Sequence, residues 1–375
     1  IANLDRARGN TLTEAMYLLI LECIVHENSK KLALLIPLLH PADTADLIER
    51  LEPNQRQILE PIIQIDDLGE VLVNLPDAIR DVFLSKIHPK RLAKSLFELE
   101  SDDIAEVIES LSTEDQDYIL TMIDNIDPDE PMQVKFTRDI LSYPENSAGR
   151  LMKSEVITAP KSWSVQKLLD YLAQESKNLP DKISSVFITN RNNELIGSAS
   201  MQRIARSNKA SSLKDIMRKD PLAVSVYKEQ KEVLKLFEKY DLFTCAVIDA
   251  EEKLVGQITV DDVLDIALEQ SQEDILHMAG VSEDDDLFLP ARQTAVNRLP
   301  WLVINLGTAV LASFVISMFD GAIQQVVALA VLMPIIASMG GNAGTQTLAI
   351  IIRGIATDQV TVKNSKYLLK KELRV

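Results

Sequence analysis

Cysteine and histidine are scarce in this chain of 375 residues, and their scarcity excludes several kinds of site. The two cysteines, Cys23 and Cys245, lie far apart in apolar surroundings. They predict neither a disulfide framework nor a thiolate metal site, a pattern typical of a reducing compartment. The four histidines are scattered along the chain, and their spacing is not that of a zinc site.

Catalytic fingerprints are also missing from the sequence. It has no phosphate-binding P-loop, no Gly-x-Ser-x-Gly nucleophile elbow, no dinucleotide-binding fingerprint and no paired His/Cys site. We weigh three classes of protein: a transporter, a binding module and an enzyme. The enzyme has the least support, and we predict that the protein is not one.

Positive charge is scarce outside the C-terminal part of the chain. The whole sequence has 39 basic and 56 acidic residues, a net charge of −17. Residues 291–375 hold eight of the bases and three of the acids, so they carry +5 and the remainder carries −22. An acidic body argues against nucleic acid as a partner. It favours cations, or a solvated acidic surface with no special role.

Long apolar runs occur near the C-terminal end and predict two membrane spans. Residues 299–319 and about 322–352 are each long enough to cross a bilayer. The second run is over-long, and Pro334 with Gly340–Gly341 is expected to kink or tilt it. The short connection at Asp320 predicts a helical hairpin. Bases flank both outer ends, so the positive-inside rule places the acidic body and the C-terminus in the cytoplasm.

Small and amide side chains interrupt the second run. The stretch from Pro334 to Ala356 reads PIIASMGGNAGTQTLAIIIRGIA. Polar side chains at membrane depth are costly unless they face a protein interior or a water-filled path. The pattern favours a pore-lining helix, and the alternative is a glycine-rich packing face with no permeant ion. The candidate pore-lining residues are Gly341, Asn342, Gly344 and Gln346.

Short amphipathic segments recur over residues 11–141. Examples are PADTADLIERL from Pro41, DDLGEVLVNL from Asp66 and SDDIAEVIESL from Ser101. Their apolar spacing is that of helices, and their near-regular intervals are typical of a helical solenoid. We therefore predict an all-α superhelical domain over residues 1–143, with an interaction or regulatory role.

An internal repeat follows over residues 148–268. Leu151–Met152 recurs as Ile216–Met217, and VFITNRNNELIGSAS from Val186 recurs as AVIDAEEKLVGQIT from Ala246. Each half predicts strand, helix, strand, turn, strand and helix. The repeat resembles a tandem CBS module with an α/β fold. We predict that this module spans residues 144–268. A polar, acid-rich helical connector, residues 269–290, then leads to the first span.

This order of domains resembles the MgtE-type magnesium channels/transporters of bacteria. The likeness also rests on TVDDVLD from Thr259, QEDI from Gln272 and GGNAGTQTLAIIIR from Gly340. It implies a multidomain protein of the cell membrane, a homodimer in which cytoplasmic N and CBS domains sense Mg²⁺. A connecting "plug" helix would carry their motion to the pore. The family has five membrane helices, so the membrane domain predicted over 291–375 is incomplete.

The resemblance also implies which carboxylates bind Mg²⁺. This ion is usually held by one or two carboxylates together with retained waters, so it can bridge facing acids of two domains. For each acid, the alternative is a solvated surface charge or a helix cap. Glu106 stands where the family motif has Asp. By motif matching, the candidates are Glu70, Asp102 and Glu106 in the N domain, Asp241, Asp262 and Asp265 in the second CBS half, and Glu273 on the connector.

Thr259 and Asp262 have a competing role as a nucleotide site. The pattern Gly256-x-x-Thr259-x-x-Asp262 resembles the CBS motif that holds the ribose and phosphate of adenine nucleotides such as ATP. The first half has Arg203 at the matching place, so at most one such site is complete. Two hypotheses therefore stay open: a Mg²⁺ channel, and a membrane-anchored CBS sensor of adenine nucleotide or divalent cation that regulates a partner.

Overall fold

The computed structural model describes residues 12–126, 132–174, 179, 183–278, 281, 291–326, 328–356, 360, 365–372 and 374. The chain forms two compact units, Ile1–Ile266 and Ala267–Val375. The first unit contains a helical domain and the strand-rich repeat. The second contains the long apolar helices.

The helical domain is a succession of short helices separated by tight turns. Two 3-10 turns, Ile36–Leu38 and Glu60–Ile62, follow the second and fourth helices. The α-helices are α1 (Glu14–Val25), α2 (Ser29–Leu35), α3 (Pro41–Arg50), α4 (Pro53–Leu59), α5 (Ile65–Val73), α6 (Asp77–Leu84), α7 (Pro89–Leu96), α8 (Ser101–Glu109), α9 (Thr113–Asp124) and α10 (Met132–Ser142).

Proline and polar caps fix where these helices begin. Proline occupies the first position of α3, α4 and α7, where its missing N–H would have no helical partner in any case. His40 and His88 immediately precede α3 and α7. The Nδ1 atom of each accepts a hydrogen bond of 3.3 Å from the backbone N–H two residues later. These two histidines therefore act as helix caps.

Alternate helices stack on one another, which makes the domain superhelical. Helix α3 packs on α5, α5 on α7, and α7 on α9. Gly69 lies at the closest approach of α5 to α7, because a Cβ atom there would come within 2.3 Å of the backbone oxygen of Ser95. Only glycine allows this contact. The predicted all-α superhelical N domain is confirmed.

The repeat folds as two α/β halves with mixed sheets. The strands are β1 (Thr158–Pro160), β2 (Ser185–Thr189), β3 (Leu195–Ser200), β4 (Arg218–Lys219), β5 (Ala223–Ser225), β6 (Thr244–Ile248) and β7 (Leu254–Thr259). The helices are α11 (Ala148–Leu151), α12 (Val165–Gln174), α13 (Met201–Arg206), α14 (Leu213–Ile216), α15 (Gln230–Tyr240) and α16 (Val260–Met278). One sheet has the order β1-β2-β3-β4 and the other β5-β6-β7. The first pair in each sheet is parallel and the remaining pairs are antiparallel.

Each half of the repeat packs a methionine against a glycine in a strand of the other half. A Cβ atom on Gly256 of β7 would lie 2.8 Å from Met152 Sδ, and one on Gly197 of β3 would lie 2.6 Å from Met217 Sδ. The two methionines are the repeat partners seen in the sequence. The residue that follows each of them pairs with the facing strand, Lys153 with Gln257 and Arg218 with Ser198. The two halves are thus interlocked, and the predicted CBS pair is confirmed.

The second unit consists of helices. They are α17 (Ala291–Ser317), α18 (Asp320–Gln325), α19 (Ala328–Ala356) and α20 (Ser365–Glu372). Helices α17 and α19 are long and apolar enough to cross a membrane. They overlap the two predicted spans, with bounds that differ from the predicted 299–319 and about 322–352. Instead of a direct hairpin turn, the short helix α18 separates them. Helix α19 runs on through Pro334 and the glycines, because a single proline removes only one helical hydrogen bond.

The connector is continuous with the last helix of the repeat. Helix α16 runs from Val260 to Met278, so the predicted boundary at residue 268 falls inside it. The remainder of the predicted connector, apart from residue 281, lies outside the described residues. The predicted domain boundaries stay predictions.

Candidate functional site

A buried lysine marks the contact between the helical domain and the CBS pair. The side chain of Lys153 is 8% exposed. Its Nζ atom donates a hydrogen bond to Glu100 Oε2 and lies 3.0 Å from Asp262 Oδ1. Asp102 Oδ2 is 3.8 Å from Nζ, and Asp261 Oδ2 is 4.0 Å away. We name these five residues the Lys153 cluster.

The backbone of Lys153 is fixed beside strand β7. The Lys153 N–H donates to the Gln257 oxygen at 2.7 Å, and the Gln257 N–H donates back at 3.0 Å. The Gln257 side chain adds a bond of 2.6 Å from Nε2 to the Glu155 oxygen. Hydrogen bonds from both the backbone and the side chain of Gln257 hold the segment 153–155. The Lys153 side chain therefore has little freedom to leave the contact.

Helix α8 brings the helical domain to this segment. Ser101, at the start of α8, accepts a hydrogen bond of 3.1 Å at Oγ from the Ser154 N–H. The same hydroxyl donates to Glu155 Oε2 at 3.3 Å. At the other end of α8, Arg150 Nη2 donates to Glu109 Oε1 at 2.6 Å. Helix α8 is therefore docked along its whole length.

An apolar core continues across the same contact. Ala105 of α8 and Ile140 of α10 belong to one buried cluster with Met152, Val226 and Ile258 of the CBS pair. Such a shared core makes the helical domain and the second CBS half one packed body rather than two linked ones.

The Lys153 cluster has four acidic groups and one basic group. Burial raises the pKa of Asp102 well above its usual value, although Lys153 opposes the shift. Burial likewise raises the pKa of Asp103 to about 7. Burial alone would lower the pKa of Lys153, but the surrounding Asp102, Asp262 and Glu100 raise it by more, so its net shift is upward. Within the described residues, the buried Oδ1 atom of Asp102 accepts no hydrogen bond.

Thr259 and Asp262 are bonded to each other inside this contact. Asp262 Oδ2 accepts hydrogen bonds from Thr259 N at 3.0 Å and from Thr259 Oγ1 at 2.6 Å. Burial raises the pKa of Asp262 even though Lys153 and these bonds favour its charged form. Asp265 lies on the next turn of α16 with its side chain largely in solvent, and its partial burial, together with the nearby Asp262 charge, raises its pKa. The predicted nucleotide residues thus already have protein partners.

The other candidate carboxylates lie elsewhere. Glu106 is one turn after Asp102 on α8 and forms an ion pair of 2.7 Å with the buried Arg80. Glu70 is exposed on α5, and Asp241 is exposed at the end of α15. Glu273 lies on α16 in the second unit.

Only two of the predicted metal ligands meet around a common atom. Asp102 and Asp262 both lie within 4.0 Å of Lys153 Nζ. Over the part of the chain that the structure describes, no group of three or more His, Cys, Asp or Glu side chains is arranged to hold a metal ion. The metal assignments stay predictions.

A cavity opens at the repeat counterpart of this contact. Its volume is about 520 Å³. Ser200 and Arg203 line it, and they are the repeat counterparts of Thr259 and Asp262. Arg203 Nη1 donates to the Ile216 oxygen at 3.1 Å. Other lining residues are Ser198, Arg218, Tyr240 and Asp241. The open cleft therefore belongs to the half in which the sequence motif departs from the nucleotide-binding pattern.

The predicted pore-lining residues share one helix. Asn342 and Gln346 lie one turn apart on α19 and so share a face. Thr345 Oγ1 donates to the Gly341 oxygen at 3.0 Å. A Cβ atom added to Gly341 or Gly344 would meet no other described atom within 4 Å. Their pore role stays a prediction.

Lys153 and Glu100 were not among the residues that the sequence motifs pointed to. A signal was present, however. The residue after the repeated methionine is basic in both halves, Lys153 after Met152 and Arg218 after Met217. Both bases lie at a cleft of the CBS pair, the first in the Lys153 cluster and the second at the open cavity.

Comparisons with known protein families match three parts of the chain in order. Residues 39–146 match the MgtE intracellular N domain, residues 148–209 and 213–269 match CBS domains, and residues 333–375 match a divalent cation transporter family. The MgtE N domain model and the divalent cation transporter model thus match the two ends of the chain, with the CBS domains between them. This order of matched parts is that of an MgtE-type magnesium transporter.

Two relatives and one solved structure illustrate the likeness. "Magnesium transporter MgtE" of Bacillus subtilis (strain 168) is 27% identical over 90% of this chain and 73% of its own length. The protein of the same name from Thermus thermophilus is 27% identical over 97% of this chain and 80% of its own. A crystal structure of the soluble part of a magnesium transporter shares the fold, with a TM-score of 0.57 at 20% identity. It covers 69% of this chain and 99% of that chain. These relatives are named as transporters rather than enzymes.

Proposed function

We propose that the protein conducts Mg²⁺ across the cell membrane as a homodimer, and that its N and CBS domains lie in the cytoplasm and sense Mg²⁺. The names of the relatives and the match of residues 333–375 to a divalent cation transporter family support transport. Helices α17 and α19 supply spans, and the amides of Asn342 and Gln346 supply acceptors for the water shell of a hydrated ion.

The observation that carries the sensing role is the charge imbalance of the Lys153 cluster. Four carboxylates lie within 4.0 Å of one ammonium group. Carboxylates that share one ammonium group repel one another, and the repulsion is strongest where water is excluded. The Asp261 side chain is 52% exposed and Asp265 is exposed beside it. A hydrated Mg²⁺ at this open edge would remove the remaining repulsion without shedding its waters.

A titration of the full chain in detergent tests the sensing role. Millimolar Mg²⁺ should protect the first unit from protease and make it more compact, and Na⁺ at the same ionic strength should not. Asp262→Ala should weaken the effect, whereas Glu238→Ala, an exposed acid on α15, should not. An equal response to Na⁺ would mean charge screening alone and would remove the specific site.

Flux through reconstituted protein tests the transport role. Asn342→Leu replaces an amide acceptor with an alkyl wall of similar size. We expect Mg²⁺ uptake per folded protein to drop steeply, because the ion cannot readily lose its waters. Unchanged uptake per folded protein would assign Asn342 to helix packing instead.

A second candidate function is the binding of an adenine nucleotide, and the open cavity favours it. Arg203 and Arg218 line the cavity and provide positive charge for phosphate groups, while Tyr240 offers a ring for the base. Arg203→Ala should therefore weaken ATP binding more than Thr259→Ala in calorimetric titration. The reverse order would return the nucleotide to the Thr259–Asp262 motif and support the membrane-anchored CBS sensor that the sequence suggests.

A further inference from the structure

The end of the second apolar helix and the chain after it are rich in positive charge. Residues 353–375 contain six basic and two acidic residues, whereas the protein as a whole has a net charge of −17. Three of these bases lie on helix α20 (Ser365–Glu372), and Arg374 follows it. The positive charge is therefore concentrated where a membrane-length helix ends.

The turn after α19 keeps α20 close to the end of α19. Helix α19 ends at Ala356, and the N–H of Val360 donates a hydrogen bond of 2.8 Å to the Gly354 oxygen. A Cβ atom on Gly354 would lie 2.6 Å from Val360 Cγ2, so the chain folds directly back against α19. From Val360 to Ser365 the chain can span at most about 18 Å. Helix α20 therefore begins near the end of the apolar helix.

One side of α20 combines lysines with an exposed tyrosine. Lys366 and Lys370 are one turn apart and share a face, and both are exposed. Tyr367, which is 71% exposed, and Lys371 lie next to them around the helix. Leu368 is half-buried on the opposite side. We name Lys366, Tyr367, Lys370 and Lys371 the basic face of α20.

We propose that the basic face of α20 binds the acidic headgroups of membrane lipids. The lipid would hold the chain against the bilayer surface directly after the second span. This proposal rests on the proposed location in the membrane, and it is independent of Mg²⁺ transport and of Mg²⁺ sensing.

The composition of the basic face supports this partner. Lysine side chains reach from a surface helix to charged headgroups, and tyrosine is enriched where the bilayer meets water. Each lysine near an acidic membrane surface strengthens binding by about fivefold.

The charge of the rest of the chain supports it as well. The residues before 291 carry a net charge of −22, so an acidic membrane repels them. The basic face is attracted instead, at the point where the chain leaves the bilayer. Because this attraction is between charges near the surface, salt should weaken it.

Fluorescence quenching of the full chain tests the proposal. Tyr367→Trp is reconstituted into vesicles of phosphatidylglycerol and phosphatidylcholine in equal amounts, with bromine on the acyl chains of one lipid or of the other. The membrane is otherwise the same, so a difference in quenching reports which lipid lies beside α20. The signal of the unsubstituted protein, from Trp163 and Trp301, is subtracted. We expect phosphatidylglycerol to be enriched about tenfold, and less at high salt.

Variants made together with Tyr367→Trp separate the lysine charges from other causes. Lys366→Gln with Lys370→Gln should lower the enrichment at least about fivefold. Lys366→Arg with Lys370→Arg keeps the charge and should keep the enrichment. Lys209→Gln with Lys214→Gln removes the same charge from exposed positions of the CBS pair and should leave the enrichment unchanged.

Three results would overturn the proposal. They are equal quenching by the two lipids, enrichment that survives the two Lys→Gln changes on α20, and enrichment that phosphate abolishes but chloride at the same ionic strength does not. The last result would assign the basic face to a soluble phosphate compound.

Failure of the membrane location gives a different result. Trp301 lies on α17, so brominated lipid of either kind should quench the unsubstituted protein if α17 spans the bilayer. Absence of that quenching would remove the spans and the lipid site together. Quenching of the unsubstituted protein without enrichment beside α20 would keep the spans and remove the lipid site alone.

Discussion

The two clefts of the CBS pair start from the same pattern and end in opposite states. Each has a base after a repeated methionine and a polar pair at the end of its last strand. In the closed cleft these are Lys153, Thr259 and Asp262, and helix α8 covers them with acids. In the open cleft the counterparts are Arg218, Ser200 and Arg203, and they line a cavity of about 520 Å³.

The difference shows how one substitution breaks the symmetry of a repeat. An acid at position 262 pairs with the base across the cleft, and further acids from α8 can then share that base. An arginine at position 203 adds a second positive charge instead, so the cleft stays suited to an anion. The charge at this one position thus matches each cleft to its surroundings, the acids of α8 in the closed cleft and an open cavity lined by two arginines in the other.

The largest expected effect comes from replacing the glycine that packs against the methionine of each cleft with alanine. In Gly256→Ala the new Cβ atom would lie 2.9 Å from the backbone oxygen of Lys153, which cannot move without breaking its strand pairing. We expect a local loss of about 3 kcal/mol, as for an overpacked core. In Gly197→Ala the Arg218 oxygen is 3.1 Å away, and the flexible Met217 can shift, so about 1 kcal/mol is expected. Exchange of the Gln257 amide measures the first loss, and equal losses would contradict the comparison.

The next effect concerns the residue that differs between the clefts. Asp262→Asn removes the negative charge that faces Lys153 and leaves a weaker hydrogen-bond acceptor for Thr259. We expect a loss of about 2 kcal/mol, typical of a hydrogen bond to a charged group. Arg203→Gln changes an exposed side chain and should stay within about 0.5 kcal/mol. The Thr259 amide, which donates to Asp262, reports the first change, and unaltered exchange would show that the pair is not needed for closure.

A smaller effect is expected for the base of the open cleft. Arg218→Ala should weaken binding of an ATP analogue about tenfold, the range for one charge-assisted contact to phosphate. Lys219→Ala, an exposed neighbour that does not line the cavity, is the matched control. Binding by fluorescence anisotropy distinguishes them, and equal losses would point to nonspecific attraction.

The smallest effect is a dependence on pH in the closed cleft. Burial raises the pKa of Asp103 from 3.8 to about 7, with Lys153 opposing the shift and Glu100, Glu106 and Asp262 adding to it. Between these two values the folded state binds more protons than the unfolded state, so stability falls as the pH rises through this window. We expect a loss of about 1 kcal/mol from pH 6 to pH 8. Asp103→Asn should flatten the plot of the free energy of unfolding against pH. An unchanged slope would assign the pH dependence to other groups.

The fold was predictable from the sequence because its signals are local or repeated. Apolar spacing in segments such as the one from Pro41 specifies helices, and the duplicated Leu151–Met152 specifies the CBS halves. The continuation of α19 through Pro334 was harder to predict, because a proline in the sequence does not indicate whether a helix bends there or ends.

The closed cleft was only partly predictable. Asp102 and Asp262 were found through a family resemblance, but Lys153 was not. Its partner Glu100 lies 53 residues away in sequence, and no periodic pattern links residues at that distance. The two residues meet because α8 docks through packing of Ala105 and Ile140 against the CBS core. Such packing between distant segments cannot be predicted from the pattern of any one segment.

The pairing of Gln257 with the segment 153–155 also sets an order for biosynthesis. The Gln257 side chain binds the Glu155 oxygen across 102 residues. A ribosome therefore finishes the helical domain and the first CBS half long before β7 exists. Until then Met152 has no glycine to pack against, and Lys153 has no strand to align it. Translation of β7 is the step that seats both residues, so a nascent chain paused before Leu254 would expose the Met152 side chain, the kind of apolar surface on which chaperones act.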